Sequence, residues 1–92
     1  MLKPEFTGQF KRDYKAAIRR GCNPDKLQEV ITLLVNEKPL PPNYRDHKLA
    51  DSRRYKSMRE CHIEPDWLLV YKVEEELLLL KLIRTGTHSE LF

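Results

Sequence analysis

The sequence has little cysteine and no long hydrophobic run. Its 92 residues include two cysteines, Cys22 and Cys61. These form neither a Cys-x-x-Cys pair nor a disulfide framework, so we expect reduced thiols in the cytoplasm. No apolar run approaches the roughly 18 residues that a membrane span requires, and the N-terminal MLKPEFTGQF lacks the apolar region of a signal peptide. We therefore expect a single cytoplasmic domain over residues 1–92 that does not bind a membrane.

Acidic residues are scarce in two segments. Residues 1–21 hold six Lys and Arg against two acids, and residues 41–60 hold six against three. Residues 61–92 reverse this balance with three against six. The basic segments suit a polyanion or an acidic protein partner. The net charge of +3 is also common among small proteins, so charge alone does not identify a nucleic acid as the binding partner.

Two amphipathic helices are predicted in the first half of the chain. In TGQFKRDYKAAIRRG, Thr7 is a suitable N-cap, Gly21 is a suitable stop, and apolar residues recur at helical spacing. In NPDKLQEVITLLVNEKP, Asn23 and Pro24 suit the start and Pro39 ends the helix. The short connection predicts an antiparallel helical hairpin.

The other apolar segments predict four strands. LKPEF is a short edge strand, because an edge tolerates Pro4. YKSMRECHI, DWLLVYKV and LLLLKLIRT are further strands, and the leucine run predicts burial on both faces at the sheet centre. PLPPNYRDHKLADSRR is predicted to be loop. The order β-α-α-β-β-β is an α+β fold: a two-helix hairpin on one face of a small, mainly antiparallel sheet, with the other face partly free.

The three histidines, His47, His62 and His88, all lie in the second half of the chain with polar or ionic neighbours. Imidazole is the side chain best suited to proton transfer near neutral pH. Neighbouring strands of a three-stranded meander run in opposite directions. The same end of the sheet therefore holds the end of the first strand, the start of the second and the end of the third. That topology predicts the convergence of His62, Asp66, Trp67, Arg84 and His88.

Three kinds of chemistry are compatible with these residue types. A metal site has suitable ligands, but no spacing matches a known ligand pattern and neighbouring arginines would repel a cation. A Cys–His nucleophile is disfavoured, because Cys61 and His62 are adjacent in a strand and point to opposite faces. Metal-free RNA cleavage requires a base, an acid, cations for the phosphate and an aromatic surface, without a cofactor. The histidines and carboxylates fill these roles together with Arg84, Trp67 and Phe92.

Three ordered motifs, YRDHKL, RECHIEPDWLLVYK and RTGTHSELF, closely resemble the YafQ family of bacterial toxins in the RelE/ParE superfamily. LQEVITLLVNEKPLPPNYRDH fits the same family, so the resemblance spans nearly the whole chain. It implies a RelE/ParE-like fold and a ribosome-dependent endoribonuclease, or mRNA interferase, that cuts messenger RNA in the ribosomal A site. It also implies a cognate antitoxin of the ribbon-helix-helix type, in a toxin–antitoxin heterotetramer that binds operator DNA through the antitoxin.

The resemblance assigns catalytic roles by position. His88 resembles the main catalytic histidine of the family. His47, His62 and Asp66 resemble its supporting acid and base residues. The resemblance does not assign which imidazole is the acid and which is the base.

The resemblance also assigns substrate-binding roles. Arg84 matches a phosphate-binding arginine, and Trp67 and Phe92 match aromatic positions near the substrate. Glu60 occupies a position where some relatives carry Asp. Glutamate has the same charge as aspartate on a longer side chain. We expect all four to be substrate-binding residues.

Two other functions stay open at the level of sequence. One is a non-catalytic toxin of the same fold that poisons a protein target such as DNA gyrase. The other is a plain RNA-binding module in which arginines and lysines grip phosphates. Fold alone does not separate these functions, because one superfamily hosts several of them.

Overall fold

The computed structural model describes residues 1–92. Its strands are β1 (Lys3–Phe6), β2 (His47–Lys48), β3 (Arg59–Glu64), β4 (Trp67–Glu74) and β5 (Leu79–Gly86). Its α-helices are α1 (Gly8–Arg19), α2 (Pro24–Val35) and α3 (His88–Leu91). Short 3-10 turns lie at Pro42–Tyr44 and Glu75–Leu77. The predicted α+β class is confirmed, and two short elements, β2 and α3, are additions to the predicted order.

The two long helices begin and end where the predicted capping residues lie. The Thr7 hydroxyl accepts a hydrogen bond from the amide of Phe10 at 3.1 Å, and the Asn23 side chain accepts one from the amide of Asp25 at 2.9 Å. Gly21 follows α1 with φ of +92°, a conformation that favours glycine. None of the helices combines the length and the apolar character needed to cross a membrane.

The sheet has the strand order β1-β5-β4-β3-β2. β1 is an edge strand, as predicted from Pro4, and pairs in parallel with β5, whereas every other pairing is antiparallel. The central strand is β4, so the predicted position of the leucine run at the sheet centre is wrong. β5 lies one strand from the edge, and Leu77 and Leu78 precede it as exposed residues of a turn. Leu80 and Leu82 are fully buried, while Lys81 between them is half-buried.

The two faces of the sheet differ. Alternation places Cys61, Ile63, Leu69 and Tyr71 on one face, which α1 and α2 cover to form the main core. We call this the helix face. The opposite face carries Glu60, His62, Leu68 and Val70, and we call it the histidine face. Only a small apolar cluster covers part of it, built from Tyr55, Leu91 and the two apolar residues of β4.

The segment before β3 is a compact loop and not the strand predicted from Tyr55 onward. Ser57 has φ of +56°, which interrupts an extended chain. The amide of Tyr55 donates to the Ser52 hydroxyl at 3.1 Å, and the amide of Ser57 donates to Asp51 at 3.1 Å. These bonds turn Tyr55 under the histidine face, where it is buried.

Candidate active site

His47, Glu60 and His62 form one cluster on the histidine face. His47 of β2 is the direct neighbour of Glu60 in the β2–β3 register, and His62 follows Glu60 on the same face. The Glu60 Oε1 atom lies 3.3 Å from Nε2 of His62 and 3.6 Å from Nε2 of His47. Glu60 is only 5% exposed, whereas both rings reach solvent. One buried carboxylate therefore orients two accessible imidazoles.

Backbone carbonyls hold the other nitrogen of each ring. Nδ1 of His47 lies 2.8 Å from the Arg45 carbonyl oxygen, and Nδ1 of His62 lies 3.3 Å from that of Pro65. Because a carbonyl oxygen only accepts hydrogen bonds, each Nδ1 acts as the donor. This leaves Nε2 of both rings facing the carboxylate of Glu60.

His88 begins α3 at the end of β5. Thr87 caps this helix by accepting a hydrogen bond from the amide of Glu90 at 3.3 Å, while the Glu90 carboxylate accepts one from the amide of Thr87 at 2.8 Å. The hydrogen bond from the Thr87 amide lowers the pKa of Glu90. The amide of His88 donates to Asp66 Oδ1 at 3.1 Å. Asp66 thus fixes the backbone of His88 from the β3–β4 turn and leaves its exposed ring free.

The last residues are held in place by Tyr55. Its hydroxyl donates to the Leu91 carbonyl oxygen at 2.8 Å, and its ring lies 5.3 Å from that of Phe92, centroid to centroid. The rings of His88 and Phe92 lie 5.2 Å apart. Phe92 is 48% exposed, so it forms a partly open aromatic surface beside the His88 imidazole. These contacts hold Leu91 and Phe92 next to His88.

Arg84 is paired inside the protein. Its Nε and Nη2 atoms donate to the two carboxylate oxygens of Asp13 at 2.8 and 3.1 Å, and the amide of Thr85 donates to the same carboxylate at 3.2 Å. Burial raises the pKa of Asp13, but these bonds and one from Gln9 outweigh it and lower that pKa. The same pair raises the pKa of Arg84. Because a guanidinium has five N–H groups, Arg84 retains free donors while Asp13 balances its charge.

Trp67 does not form part of the candidate site, and its predicted position at the substrate is wrong. Its side chain is 3% exposed in the main core, and its indole nitrogen donates to the Thr85 hydroxyl at 2.9 Å. A buried ring cannot stack on an RNA base. The physical reason is strand alternation: Trp67 opens β4 on the helix face, next to Leu68 on the histidine face.

The sheet register joins the histidine cluster to the chain end. His62 pairs with Leu68, and Leu68 pairs with Gly86 two residues before His88. The predicted meander edge thus brings His62, Asp66 and His88 to one end of the sheet. Cys61 points into the core, where burial raises the pKa of its thiol to about 12, so it is neither paired with His62 nor a nucleophile.

Sequence reasoning missed Tyr55 and Asp13. Tyr55 lies in a loop without periodicity, and the Asp13–Arg84 pair joins residues 71 positions apart. One missed element carried a visible signal: Thr87 and Glu90 have the Thr-x-x-Glu spacing of a capping box, which predicts a helix start at His88. No group of three or more His, Cys, Asp or Glu side chains is arranged to hold a metal ion.

A family model described as the bacterial toxin of type II toxin–antitoxin systems, YafQ, matches residues 2–92. The chain belongs to the YafQ toxin family. It is 45% identical over 89 residues to the mRNA interferase toxin YafQ of Escherichia coli K12, covering 96% of this chain and 92% of that protein. It is 36% identical over 94 residues to a putative toxin YafQ of Haemophilus influenzae, covering 97% and 90%.

Solved structures of bacterial toxins share the fold. The E. coli DinJ–YafQ complex contains a chain that is 44% identical, with a TM-score of 0.89 and coverage of 100% of this chain and 99% of that one. A metal-bound toxin from Helicobacter pylori is 41% identical, with a TM-score of 0.93 and full coverage of both chains. The family resemblance and the RelE/ParE-like fold predicted from the sequence are both confirmed.

Proposed function

We propose that this YafQ-family chain is the toxin of a type II toxin–antitoxin pair and acts as a ribosome-dependent mRNA interferase that inhibits translation. The name of the E. coli relative supports the reaction class. The observation that carries the proposal is the buried Glu60 carboxylate between two accessible imidazoles, 3.3 and 3.6 Å from their Nε2 atoms. Such a set moves protons, which a purely binding toxin does not require.

The reaction is a transesterification at the phosphate. A base removes the 2′-OH proton, the 2′-oxygen attacks the phosphorus, and the bond to the 5′-oxygen of the next nucleotide breaks as an acid protonates that oxygen. The products are a 2′,3′-cyclic phosphate and a free 5′-OH. His88, His62 and His47 are the proton-transfer residues, and Asp66 positions His88 through its backbone amide. No cofactor takes part in this scheme.

Neighbouring groups bind the phosphate and the RNA base. The free N–H donors of Arg84 and protonated imidazoles stabilise negative charge that grows on the phosphate oxygens. Phe92, half exposed beside His88, stacks on a base and holds it out of the helical stack for in-line attack. Glu60 acts through the two imidazoles, so it is a positioning residue and not a direct substrate ligand.

The proposed partners are the ribosomal A site with its messenger RNA and a cognate antitoxin. The E. coli relative is seen in a DinJ–YafQ complex, which supports an antitoxin for this chain too. We propose that the antitoxin has a ribbon-helix-helix end and that the resulting heterotetramer binds operator DNA through it. Translation places the toxin in the bacterial cytoplasm.

The test is cleavage of a translated messenger RNA in a purified cell-free translation system. Wild-type protein is expected to cut the message only while ribosomes translate it, and His88→Ala is expected to leave it intact. Growth arrest with intact messenger RNA would indicate a non-catalytic toxin that acts on a protein such as gyrase. Ribosome binding without cleavage by the wild type would indicate an RNA-binding module.

A further inference from the structure

The strand that carries His47 is very short. β2 spans two residues, and it lies at the edge of the sheet, where it pairs only with β3. A pairing of this length leaves few backbone hydrogen bonds to hold the strand, so it would open easily by itself. The chain enters β2 through Arg45, whose φ of +49° is unfavourable for a residue with a side chain. A further contact must therefore hold His47 in place beside Glu60.

Asp46 provides such a contact from the opposite side of the sheet. Its carboxylate accepts a hydrogen bond from the Tyr71 hydroxyl and two from Arg59, through Nη2 at 3.1 Å and Nε at 3.4 Å. Tyr71 belongs to the core on the helix face, and Arg59 is its direct neighbour in the β3–β4 register. We call these three residues the Asp46 cluster. It joins the chain next to His47 to the central strand β4, with which β2 has no backbone pairing.

The two residues that hold Asp46 are themselves fixed. Tyr71 is 2% exposed, and its ring is packed in the main core. Burial and the hydrogen bond to Asp46 raise the pKa of Tyr71, so its hydroxyl remains a protonated donor at neutral pH. The hydrogen bond to Asp46 also raises the pKa of Arg59, which keeps the guanidinium charged. The carboxylate therefore lies between a rigid neutral donor and a permanent cation.

Asp46 acts on His47 through the backbone. The two residues are adjacent, and their side chains lie on opposite faces, that of Asp46 against the Tyr71 hydroxyl and that of His47 beside Glu60. Nδ1 of His47 is bonded at 2.8 Å to the carbonyl oxygen of Arg45, the residue on the other side of Asp46 in the chain. A movement of the Asp46 backbone therefore shifts both the His47 ring and the carbonyl that orients it. Because Tyr71 is buried on the helix face, the Asp46 cluster does not touch a substrate at the imidazoles.

We propose that Asp46 is a positioning residue for His47. Held by Tyr71 and Arg59 on the helix face, it fixes β2 so that the imidazole keeps its place beside Glu60 on the histidine face. The inference rests on the proposed function, because this placement affects cleavage only if His47 transfers a proton. A displacement of about 1 Å at a reacting group lowers a rate by up to about 10²-fold, so loosening of β2 is expected to slow the reaction without removing any group that reacts.

Tyr71→Phe tests the Asp46 cluster with the smallest change, because it removes one hydroxyl and leaves the ring in the core. Tyr44→Phe is the control, since Tyr44 is also packed against the core but lies outside the cluster. Cleavage is measured in the cell-free translation system over a range of messenger RNA concentrations. We expect Tyr71→Phe to lower kcat about tenfold and to change KM by less than about twofold, while Tyr44→Phe changes neither. Asp46→Ala is expected to lower kcat at least as much, and Asp46→Asn, which keeps an acceptor for the Tyr71 hydroxyl, to recover part of the loss.

A double-mutant cycle distinguishes the positioning of His47 from a general loss of stability. His47→Ala removes the imidazole, so Tyr71→Phe is expected to cause no further decrease in kcat when the two substitutions are combined. Decreases that multiply would overturn the inference, because Tyr71 would then act on cleavage by another route. An unchanged kcat in Tyr71→Phe, relative to an active wild type, would overturn it as well.

Backbone relaxation measured by NMR gives a readout that does not depend on cleavage. The order parameter of the His47 amide is expected to be about 0.85 in the wild type and to fall below about 0.6 in Tyr71→Phe and Asp46→Ala. The amide of His62 is expected to stay unchanged in both variants, which a general loosening of the fold would not allow. An unchanged order parameter at His47 would overturn the inference. If the order parameter falls as expected but wild-type protein cuts no RNA, the proposed function fails and the role of Asp46 in fixing β2 stands.

Discussion

The two faces of one five-stranded sheet differ in what they bury. The helix face buries apolar side chains of β3, β4 and β5 under two full helices, with Leu69, Leu80 and Leu82 at 0% exposure. The histidine face buries the carboxylate of Glu60 under two imidazoles and has only the small cluster around Tyr55 and Leu91 as apolar cover. The same strands therefore carry the main core on one side and the side chains of the candidate site on the other.

This difference teaches where a substitution acts. A substitution that opens a cavity on the helix face lowers the free energy of unfolding, because the surrounding core cannot collapse fully to fill it. Substitution of an exposed side chain on the histidine face is expected to leave the free energy of unfolding almost unchanged and to alter the proposed reaction. Stability and cleavage are thus expected to vary independently, and the following substitutions test that independence from the largest effect to the smallest.

Removal of the His88 imidazole has the largest expected effect, and it falls on cleavage. His88→Ala is expected to reduce messenger RNA cleavage by about 10²–10⁴-fold, the usual contribution of a general acid or base. The side chain is exposed and its backbone amide remains bonded to Asp66, so the melting temperature is expected to be unchanged. Cell-free cleavage and thermal unfolding check both parts. Ser89→Ala, at the neighbouring exposed position, is the control. Full growth arrest by cells that express His88→Ala would contradict the assignment.

A core truncation on the helix face has the complementary effect. Leu80→Ala is expected to lower the free energy of unfolding by about 2–5 kcal/mol, because Leu80 is fully buried. The specific cleavage activity of the fraction that remains folded is expected to be unchanged. Urea denaturation measures the loss, with Leu78→Ala as the control, since Leu78 is 56% exposed. Equal losses at both positions would show that the leucine run does not contribute through burial.

A substitution at Tyr55 is expected to affect both stability and cleavage, because Tyr55 lies in the apolar cluster on the histidine face. Tyr55→Phe keeps the ring against Phe92 and removes only the hydrogen bond to the Leu91 carbonyl. We expect a loss of about 1 kcal/mol in unfolding free energy and a severalfold decrease in cleavage, since α3 positions His88 less firmly. Denaturation and cleavage rates measured on one preparation check this. An unchanged cleavage rate would mean that the chain end does not depend on Tyr55 for its position.

The Asp13–Arg84 pair gives the smallest effect, and it depends on pH. Because the pKa of Asp13 in the folded chain is below its usual value of 3.8, the carboxylate stabilises the fold above that value and the contribution disappears as pH falls. Asp13→Asn is expected to have a free energy of unfolding lower than that of wild type by up to about 1 kcal/mol at neutral pH. This difference between variant and wild type is expected to narrow as the pH falls. Urea denaturation across pH measures the gap, and Glu29→Gln is the control. A gap that widens in acid would contradict the sign of this shift.

Much of the fold could be predicted from the sequence, because local signals specify it. Thr7, Asn23 and Pro24 begin the helices where their capping preferences place them, and Pro4 marks an edge strand. The prediction that the leucine run lies at the sheet centre is wrong, because hydrophobicity alone does not determine strand order. β2 spans two residues, too few for any periodicity to indicate it.

The candidate site could be predicted only where strand topology decides it. Asp66 and His88 meet because the meander brings a turn and a chain end together. Trp67 was misplaced, although alternation along β4 puts it on the side of Leu69 and Tyr71. The pairing of Arg84 with Asp13 joins two elements distant in the chain, and no local pattern encodes such a contact.

The chemistry at the ends of the RNA fragments tests the central claim most directly. If the imidazoles of the histidine face transfer the protons of a 2′-OH attack, the 5′ fragment carries a 2′,3′-cyclic phosphate or the 3′-phosphate formed from it, and the 3′ fragment begins with a free 5′-OH. A 2′-O-methyl group at the cut site then abolishes cleavage. Fragments with 5′-phosphates, or cleavage that requires added zinc or manganese, would contradict the account and remove His88 from its proton-transfer role.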